Sequence, residues 1–261
     1  VILDILKKTD TGFFKPSGKE RQNDWEKGWE ENCDNFVDSG FNIDELVPKY
    51  FKPDQLLRLN LYYILPVHPK FVIYYLNIFR SWFFIKYFED VDSIYEFGCG
   101  TGHNLVLLSK LFPNKNLHGM DWVDSSQKIL ELLNKKCNLN IKGQKFDFFS
   151  PNCDIQISDN SAFFTLAALE QIGNNHEDFI QFIIKKSPKL CVNVECFCEL
   201  YDDDNLVDYL AIRYHKKRKY LDGFLKRLKQ LEGEGKVEIF KIKRHYFGSL
   251  YHEAYSFVVW R

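Results

Sequence analysis

The chain has 261 residues, of which 45% are hydrophobic, so it can bury one large domain or a core with a small cap. Its formal net charge is −1. Because each phosphate contact needs a cation, this balance argues against nucleic acid as a general partner.

The first third of the chain predicts an arm followed by a helical cap. Residues 1–24 are mostly polar and contain Gly and Pro, which favours a loosely attached loop. Four prolines divide residues 40–70 into short helices and turns. Residues 71–89 form an aromatic-rich helical pattern, and no strand alternation is present. We therefore expect an arm and cap over 1–90 and a core over 91–261.

From Ser93 onward, short apolar segments alternate with helical patterns, which predicts βαβ units and a parallel sheet. Five strands are expected at Ser93–Phe97, Asn116–Met120, Gly143–Phe148, Ser161–Leu166 and Leu190–Val194. Helices are expected at Asn104–Leu111, Ser125–Lys136 and Glu177–Lys186. A basic helical insertion at about 204–232 precedes two alternating segments, Val237–Lys243 and Tyr255–Trp260, which predict a closing hairpin.

The seven cysteines have no regular spacing and form no Cys-x-x-Cys pair. They predict neither a disulfide framework nor a metal site, and a reducing, cytoplasmic location fits best. The most apolar stretch, Phe71 to Phe79, is too short for a transmembrane segment. The chain begins at Val1 without an initiator methionine, so a larger parent protein stays open.

A glycine-rich turn follows the first core strand and reads Glu96-Phe97-Gly98-Cys99-Gly100-Thr101-Gly102-His103-Asn104. Glycines let the backbone turn sharply and approach a ligand closely. The helix that follows offers unpaired N–H groups. A dinucleotide fingerprint, G-x-G-x-x-G from Gly98, would need a glycine where this chain has His103.

The acid-x-Gly-x-Gly-x-Gly spacing resembles the first motif of class I S-adenosylmethionine (SAM)-dependent methyltransferases. Asp121 ends the second strand, where a carboxylate can accept hydrogen bonds from a ribose diol. The third predicted strand ends in Lys145-Phe146-Asp147-Phe148, and the fourth leads into Thr165-Leu166. Both segments are similar to the family's segments after those strands.

The resemblance implies an α/β fold: a Rossmann-like seven-stranded, mostly parallel sheet with helices on both faces, here with an N-terminal helical cap. It implies SAM as the cofactor, with Asp121 on the ribose, Trp122 against the adenine and Asp147 near the adenine amino group. The cofactor-binding residues it implies are Glu96, Gly98, Cys99, Gly100, Gly102, Asn104, Asp121, Trp122, Asp147, Phe148, Thr165 and Leu166.

Methyl transfer needs the donor and the acceptor held in line, and a hydroxyl acceptor usually also needs a general base. We rank His252, between the last two strands, and Glu195, at the end of the fifth, as the candidate catalytic residues. Each is equally compatible with a structural role. Glu170, after the fourth strand, either touches ligand or only orients the backbone.

The acceptor is expected to be a small molecule, anionic or sugar-like, such as a sugar or nucleotide-sugar hydroxyl or amine. Trp25 and Trp29 offer aromatic faces, which suit sugar rings but also simple cap–core packing. The basic stretch 213–219 is either a solvated helix face or a docking patch for phosphates. An RNA or protein methyltransferase and a non-catalytic SAM-binding module stay open, and nothing indicates the oligomeric state.

Overall fold

The computed structural model describes residues 1–261 as eight α-helices and ten β-strands. The helices are α1 (Ile2–Asp10), α2 (Gln22–Asp38), α3 (Phe71–Phe88), α4 (His103–Leu111), α5 (Asp124–Cys137), α6 (Glu177–Lys186), α7 (Leu206–Arg218) and α8 (Phe224–Gly233). The strands are β1 (Leu57–Leu59), β2 (Tyr62–Ile64), β3 (Ser93–Phe97), β4 (Asn116–Asp121), β5 (Ile141–Lys145), β6 (Ser161–Leu166), β7 (Leu190–Glu195), β8 (Ile239–Lys243), β9 (Phe247–Ser249) and β10 (Ser256–Trp260).

The main sheet has seven strands in the order β5-β4-β3-β6-β7-β10-β8. The first five run parallel, and β10 is antiparallel to both of its neighbours. The predicted seven-stranded, mostly parallel sheet is therefore confirmed. The chain order reverses between β3 and β6, and in open α/β sheets ligands bind beyond the carboxyl ends of the strands at such a point.

Both faces of the main sheet are covered, which explains why its central strands are apolar throughout. All five residues of β3 are buried. Ile94 packs in a core shared with α3, α4 and α5, whereas Phe97 packs in a second core shared with α6 and α8. Successive residues of a strand point to opposite faces, so one strand contributes to both cores. The expected helices on both faces are present.

The cap contains a second sheet, so the prediction that the first third has no strands is wrong. Strands β1 and β2 form a hairpin, and β9 from the C-terminal region adds to β1, all antiparallel. Leu57 pairs with both Ile64 and Ser249. Strands of three residues are too short to show a recognisable alternation in the sequence. The pairing of β1 with β9 is also long-range, so no local pattern indicates it. The division at residue 90 remains a prediction, since β9 belongs to the cap sheet.

The N-terminal arm is also more ordered than predicted. Instead of a loose loop, residues 1–24 contain α1, which packs on α7 and buries Ile5. Asp10 forms an ion pair with Arg213, and the Ser17 hydroxyl donates to the carbonyl of Lys219 at 2.6 Å. The segment is thus fastened to the helical insertion.

One strand of the core is displaced from its predicted position. The third strand of the core is Ile141–Lys145, not Gly143–Phe148, so Asp147 lies in the loop beyond it. The helical insertion predicted at about 204–232 is present and consists of two helices, α7 and α8. None of the helices combines the length and the apolar character that crossing a bilayer requires.

Candidate functional site

Two adjoining cavities lie at the carboxyl ends of β3, β4 and β6, where the strand order reverses. The larger has a volume of about 450 Å³ and the smaller about 70 Å³. Trp25, Trp29, Gly98 and Ala167 line both cavities, so the two are neighbouring parts of one crevice. This is the place that the topology predicts for a ligand.

The cap closes over the glycine turn through helix α2. The Glu26 carboxylate accepts hydrogen bonds from the backbone N–H groups of Asp124 and Ser125, each at 2.8 Å. A negative charge at the start of α5 also suits the helix dipole. The Trp29 ring lies directly on Gly100, where a Cβ would be 3.0 Å from the indole. Cap and core therefore meet at the turn itself.

Glycine is required at Gly98 by both conformation and space. Its φ is +76°, in the left-handed region, and a Cβ there would collide with the Cβ of Ala168. Gly100 also has a positive φ, of +52°. Only glycine enters this region without a steric penalty, so these residues shape the turn.

Glu96 at the end of β3 is buried, and only one of its two oxygens is used. Its Oε1 accepts a hydrogen bond from Nδ2 of Asn104 at 2.6 Å, and its Oε2 has no partner. Burial raises the pKa of Glu96 to about 8, although the Asn104 hydrogen bond and the Arg80 guanidinium act in the opposite direction. The carboxyl lines the larger cavity.

Arg80 of the cap helix α3 is the cation of this corner, and no sequence motif predicted a role for it. It is buried, lines the larger cavity, and donates from Nη1 to Oδ1 of Asn104 at 2.6 Å. The same nitrogen lies 3.0 Å from Nδ1 of His103. The signal was its position, since it interrupts an otherwise apolar helix.

Asp121 at the end of β4 is buried beside the glycine turn. Its Oδ2 accepts from the Gly100 N–H at 2.8 Å, and its Oδ1 accepts from the Val123 N–H at 3.3 Å. Burial raises its pKa to about 6, and these backbone hydrogen bonds oppose the rise. Each carboxylate oxygen can accept a second hydrogen bond.

The smaller cavity gathers most of the residues expected around an adenosine. Asp121, Trp122, Asp147 and Phe148 all line it. The Asp147 side chain accepts from the Phe149 N–H at 2.9 Å, which holds the loop after β5 in a turn.

The remaining expected residues are divided. Cys99, Asn104 and Leu166 line the larger cavity. Gly102 and Thr165 line neither cavity. A Cβ at Gly102 would meet Leu130, and the Thr165 hydroxyl accepts from Nδ2 of Asn193 within the sheet. Gly102 and Thr165 therefore contact the residues that surround the site and not the cavities themselves.

The larger cavity is also lined by a group of polar and aromatic side chains from outside the glycine turn, here called one wall. The residues on this wall are Glu170, Tyr214, Arg218, Tyr220, Tyr251 and His252. Arg218 donates from Nη2 to the Tyr220 hydroxyl at 2.9 Å, whereas its buried Nε has no partner. Burial raises the pKa of Glu170 to about 7.

The two candidate catalytic residues occupy different environments. His252 lines the larger cavity, but burial and its neighbours His215, Arg58 and Arg218 hold its pKa well below the usual range. Glu195 is fully buried and lines neither cavity. Its Oε1 accepts from the Ala168 N–H at 3.1 Å, so it fixes the backbone after β6.

Most of the basic stretch 213–219 does not line the cavity. Arg213 pairs with Asp10, and outside the stretch Arg227 of α8 pairs with Glu177 at 2.7 Å. Lys216 and Lys219 are exposed. Within 213–219 only Tyr214 and Arg218 line the larger cavity.

No protein-family model matches the chain, and no curated protein matches it. Solved structures do show likeness. The N,N-8-amino-8-demethyl-D-riboflavin dimethyltransferase RosA from Streptomyces davawensis is 12% identical, with a TM-score of 0.49 over 72% of this chain and 55% of its own. TehB from Haemophilus influenzae is 14% identical, with a TM-score of 0.47 over 69% and 60%.

LepI, solved in complex with SAM, is 12% identical, with a TM-score of 0.47 over 66% of this chain and 43% of its own. The chain thus spans less than two thirds of the length of each of these three proteins. The fold can also be described from the topology of the chain itself. Five strands are parallel, the chain order reverses after β3, an antiparallel β10 lies between β7 and β8, and a glycine turn follows β3. By these features the chain has the fold of the class I SAM-dependent methyltransferases.

Proposed function

We propose that this chain is a SAM-dependent methyltransferase that methylates a small acceptor. One observation carries the proposal. The unpartnered oxygen of Glu96 and the carboxylate of Asp121 lie at adjoining strand ends, on either side of a glycine turn, and each lines one part of a shared crevice. This arrangement suits a ligand with a ribose at one end and an amino acid at the other.

The smaller cavity is proposed to hold the adenosine. Asp121 accepts hydrogen bonds from the ribose hydroxyls through its remaining lone pairs. Trp122 and Phe148 supply apolar faces for the adenine, and Asp147 accepts from its amino group. These roles use the four residues that the structure brings together there.

The corner of the larger cavity at Glu96 is proposed to hold the amino-acid part. The free Oε2 of Glu96 accepts a hydrogen bond from the ammonium group, and the Arg80 guanidinium pairs with the carboxylate. Asn104 contacts both side chains and so fixes their separation. The buried Oε2 gains a partner that the protein alone does not provide.

When bound, SAM supplies a methyl group on a positively charged sulfur. The residues of the chain contribute position and the exclusion of water, which for an in-line displacement account for much of the catalysis. Trp29 on Gly100 covers the crevice from the cap side. Glu195 is proposed to keep the backbone at Ala168 in place beneath the reacting groups.

The acceptor is proposed to be a sugar or nucleotide-sugar hydroxyl or amine. A volume of about 450 Å³ fits a small molecule. The unpartnered Nε of Arg218 suits an anionic group, and Tyr214 and Tyr251 provide flat faces for a sugar ring. Glu170 is the carboxyl group on this wall, and it is proposed to accept a hydrogen bond from the acceptor.

The enzyme assay uses SAM with an isotopically labelled methyl group and a panel of sugars, nucleotide sugars and anionic metabolites. Label that appears in a panel member, and that falls at limiting SAM with Glu96→Gln but not with the surface control Glu131→Gln, supports the proposal. If the product S-adenosylhomocysteine binds but no panel member is labelled, the proposed acceptor class is wrong. A non-catalytic binding module then becomes the better account.

A further inference from the structure

A cysteine and two histidines from distant parts of the chain meet beside the larger cavity. Cys196 follows β7, His215 lies in α7, and His252 lies between β9 and β10. Their ligand atoms all lie within 4.8 Å of one another. Cys196 is 0% exposed, His215 3% and His252 8%, so the cluster is shielded from bulk water.

The imidazole nitrogens of this cluster are short of partners. Neither Nδ1 nor Nε2 of His215 forms a hydrogen bond, and Nδ1 of His252 has no partner either. A buried polar group without a partner destabilises the fold, and most buried polar groups in folded proteins have a partner. A bound cation would give one nitrogen of each imidazole a partner.

We propose that Cys196, His215 and His252 form a binding site for Zn²⁺. A thiolate with two imidazoles matches the borderline-soft character of zinc, whereas Mg²⁺ and Ca²⁺ prefer oxygen ligands. Zinc binds these ligand types at about 2.0 to 2.3 Å. The ligand atoms of the three side chains, now within 4.8 Å of one another, would have to draw closer together to reach these distances.

The surroundings of the cluster fit a cation. The Cys196 thiol donates to Oε2 of Glu170 at 3.6 Å, which places a carboxyl group next to the sulfur. On zinc binding the thiol proton is released to solvent and the sulfur becomes a thiolate ligand. Two guanidinium groups also act on the cluster. The charge of Arg58 is offset by Asp208 at 2.7 Å and Glu253 at 3.5 Å, and the charge of Arg218 is opposed by the Glu170 carboxyl group.

Aromatic rings enclose the cluster on the protein side. Tyr201 and Tyr220 pack edge-on against His215, and Tyr214 packs against His252. His252 and Glu170 line the larger cavity. His252 is the one member of the cluster that lines a cavity, and a site with three protein ligands resembles zinc sites that keep one position for a water or a substrate atom.

The proposed zinc site changes the role of His252. A histidine that binds zinc through its lone pair is not available as a general base, so the role predicted for it from the sequence is replaced. The fourth position would face the cavity, where an oxygen, nitrogen or sulfur of a small molecule could bind. Binding of the ion does not depend on the proposed methyl transfer.

The test is a titration of the chelator-treated full chain with Co²⁺, followed by Zn²⁺. A thiolate bound to Co²⁺ gives an intense near-ultraviolet charge-transfer band. We expect this band to saturate at about one ion per chain, and Zn²⁺ to abolish it. Absence of the band in the folded wild-type chain would overturn the proposal.

Variants assign the ligands. Cys196→Ser should abolish the band, and His215→Gln should weaken Zn²⁺ binding by more than the 10- to 100-fold typical of outer-sphere changes. The matched control is Cys198→Ser, which lies two residues along the chain and outside the cluster. It should leave the Co²⁺ band and the Zn²⁺ affinity unchanged. A band that survives Cys196→Ser, or that depends on Cys198, contradicts the assignment.

A second measurement needs no variant and covers the case in which Cys196→Ser does not fold. Crystals of the wild-type chain soaked in zinc chloride should show an anomalous difference peak within about 2.0 to 2.3 Å of the Cys196 sulfur and of both imidazoles. A peak only at surface residues, or no peak, contradicts the proposal.

Discussion

The amide of Asn104 holds one oxygen of Glu96 at 2.6 Å and leaves the other without a partner. The two residues begin and end the glycine turn, so the turn sets their separation. A carboxyl group fixed by one oxygen presents the second in a defined direction.

Replacing Glu96 by Gln should weaken the binding of S-adenosylhomocysteine by about 10- to 100-fold, because a hydrogen bond to a charged group contributes about 1.5 to 3 kcal/mol. Gln keeps the size of the side chain and can still accept from Asn104. Isothermal titration calorimetry measures the change. The exposed Glu131 provides the control, and Glu131→Gln should bind as tightly as the wild type.

Binding of S-adenosylhomocysteine should depend on pH through Glu96. Burial raises the pKa of this carboxyl to about 8, so below that pH the free protein holds it protonated. The ligand ammonium needs the carboxylate, so affinity should fall by up to about tenfold per pH unit from pH 8 to pH 6. Calorimetry over this range should show the slope in the wild type and a flatter profile in Glu96→Gln. Equal slopes would exclude Glu96 as its source.

A ligand without the amino-acid part separates the roles of the two carboxylates. For 5′-methylthioadenosine, Asp121→Asn should weaken binding by about tenfold or more, because a charge-assisted hydrogen bond to the ribose is lost. Glu96→Gln should leave the affinity for this ligand unchanged. If both variants bind it equally poorly, the carboxylates do not act on different ends of the ligand.

The central strands and their turn were predictable because their signals are local. Strand β3 was predicted with its observed ends, since an apolar run leads directly into a glycine turn. The position predicted for β5 was wrong because the strand lies at the sheet edge. Its residues 142–145 are exposed, and the apolar Phe146 that the prediction included lies beyond its end. Glu96, Asp121 and Trp122 were predicted as cofactor-binding residues from their positions at or next to strand ends, and that role stays a prediction.

The features missed are those that long-range contacts create. Arg80 becomes part of the site only because α3 packs next to α4, which brings it to Asn104. The three residues of the proposed zinc cluster stand on separate elements, so no spacing in the sequence indicates them. The cap sheet depends on β9, which lies far along the chain from β1.

A buried ionic network fastens the cap sheet to the insertion, and breaking it should be costly. Asp208 of α7 accepts from Arg58 at 2.7 Å and from Arg244 at 2.6 Å, with Asp208 fully buried. Asp208→Asn removes the charge that both guanidinium groups share, so we expect a loss of about 3 to 5 kcal/mol in the free energy of unfolding. Urea unfolding measures it.

The control for that experiment is the exposed ion pair of Glu238 with Arg261 at 2.6 Å. Because solvent screens such a pair, Glu238→Gln should change stability little. If Asp208→Asn lowers the free energy of unfolding as little as the control does, the network does not stabilise the fold.

Gly98→Ala should damage both the fold and the site. The left-handed backbone costs about 1 to 2 kcal/mol for a residue with a Cβ, and the clash with Ala168 adds to it. We expect a lower unfolding temperature and loss of S-adenosylhomocysteine binding. Gly28→Ala, on α2 with open space around it, is the control and should be neutral or slightly stabilising. If Gly98→Ala unfolds at the wild-type temperature and binds S-adenosylhomocysteine normally, the turn does not require glycine at this position.

Calorimetry of S-adenosylhomocysteine with the folded wild-type chain at pH 8 tests the central claim most directly. If Glu96 and Asp121 hold the two ends of one adenosyl ligand, saturable binding of about one molecule per chain should be observed, and 5′-methylthioadenosine should compete for it. No heat and no competition, on protein that unfolds cooperatively, would contradict the account.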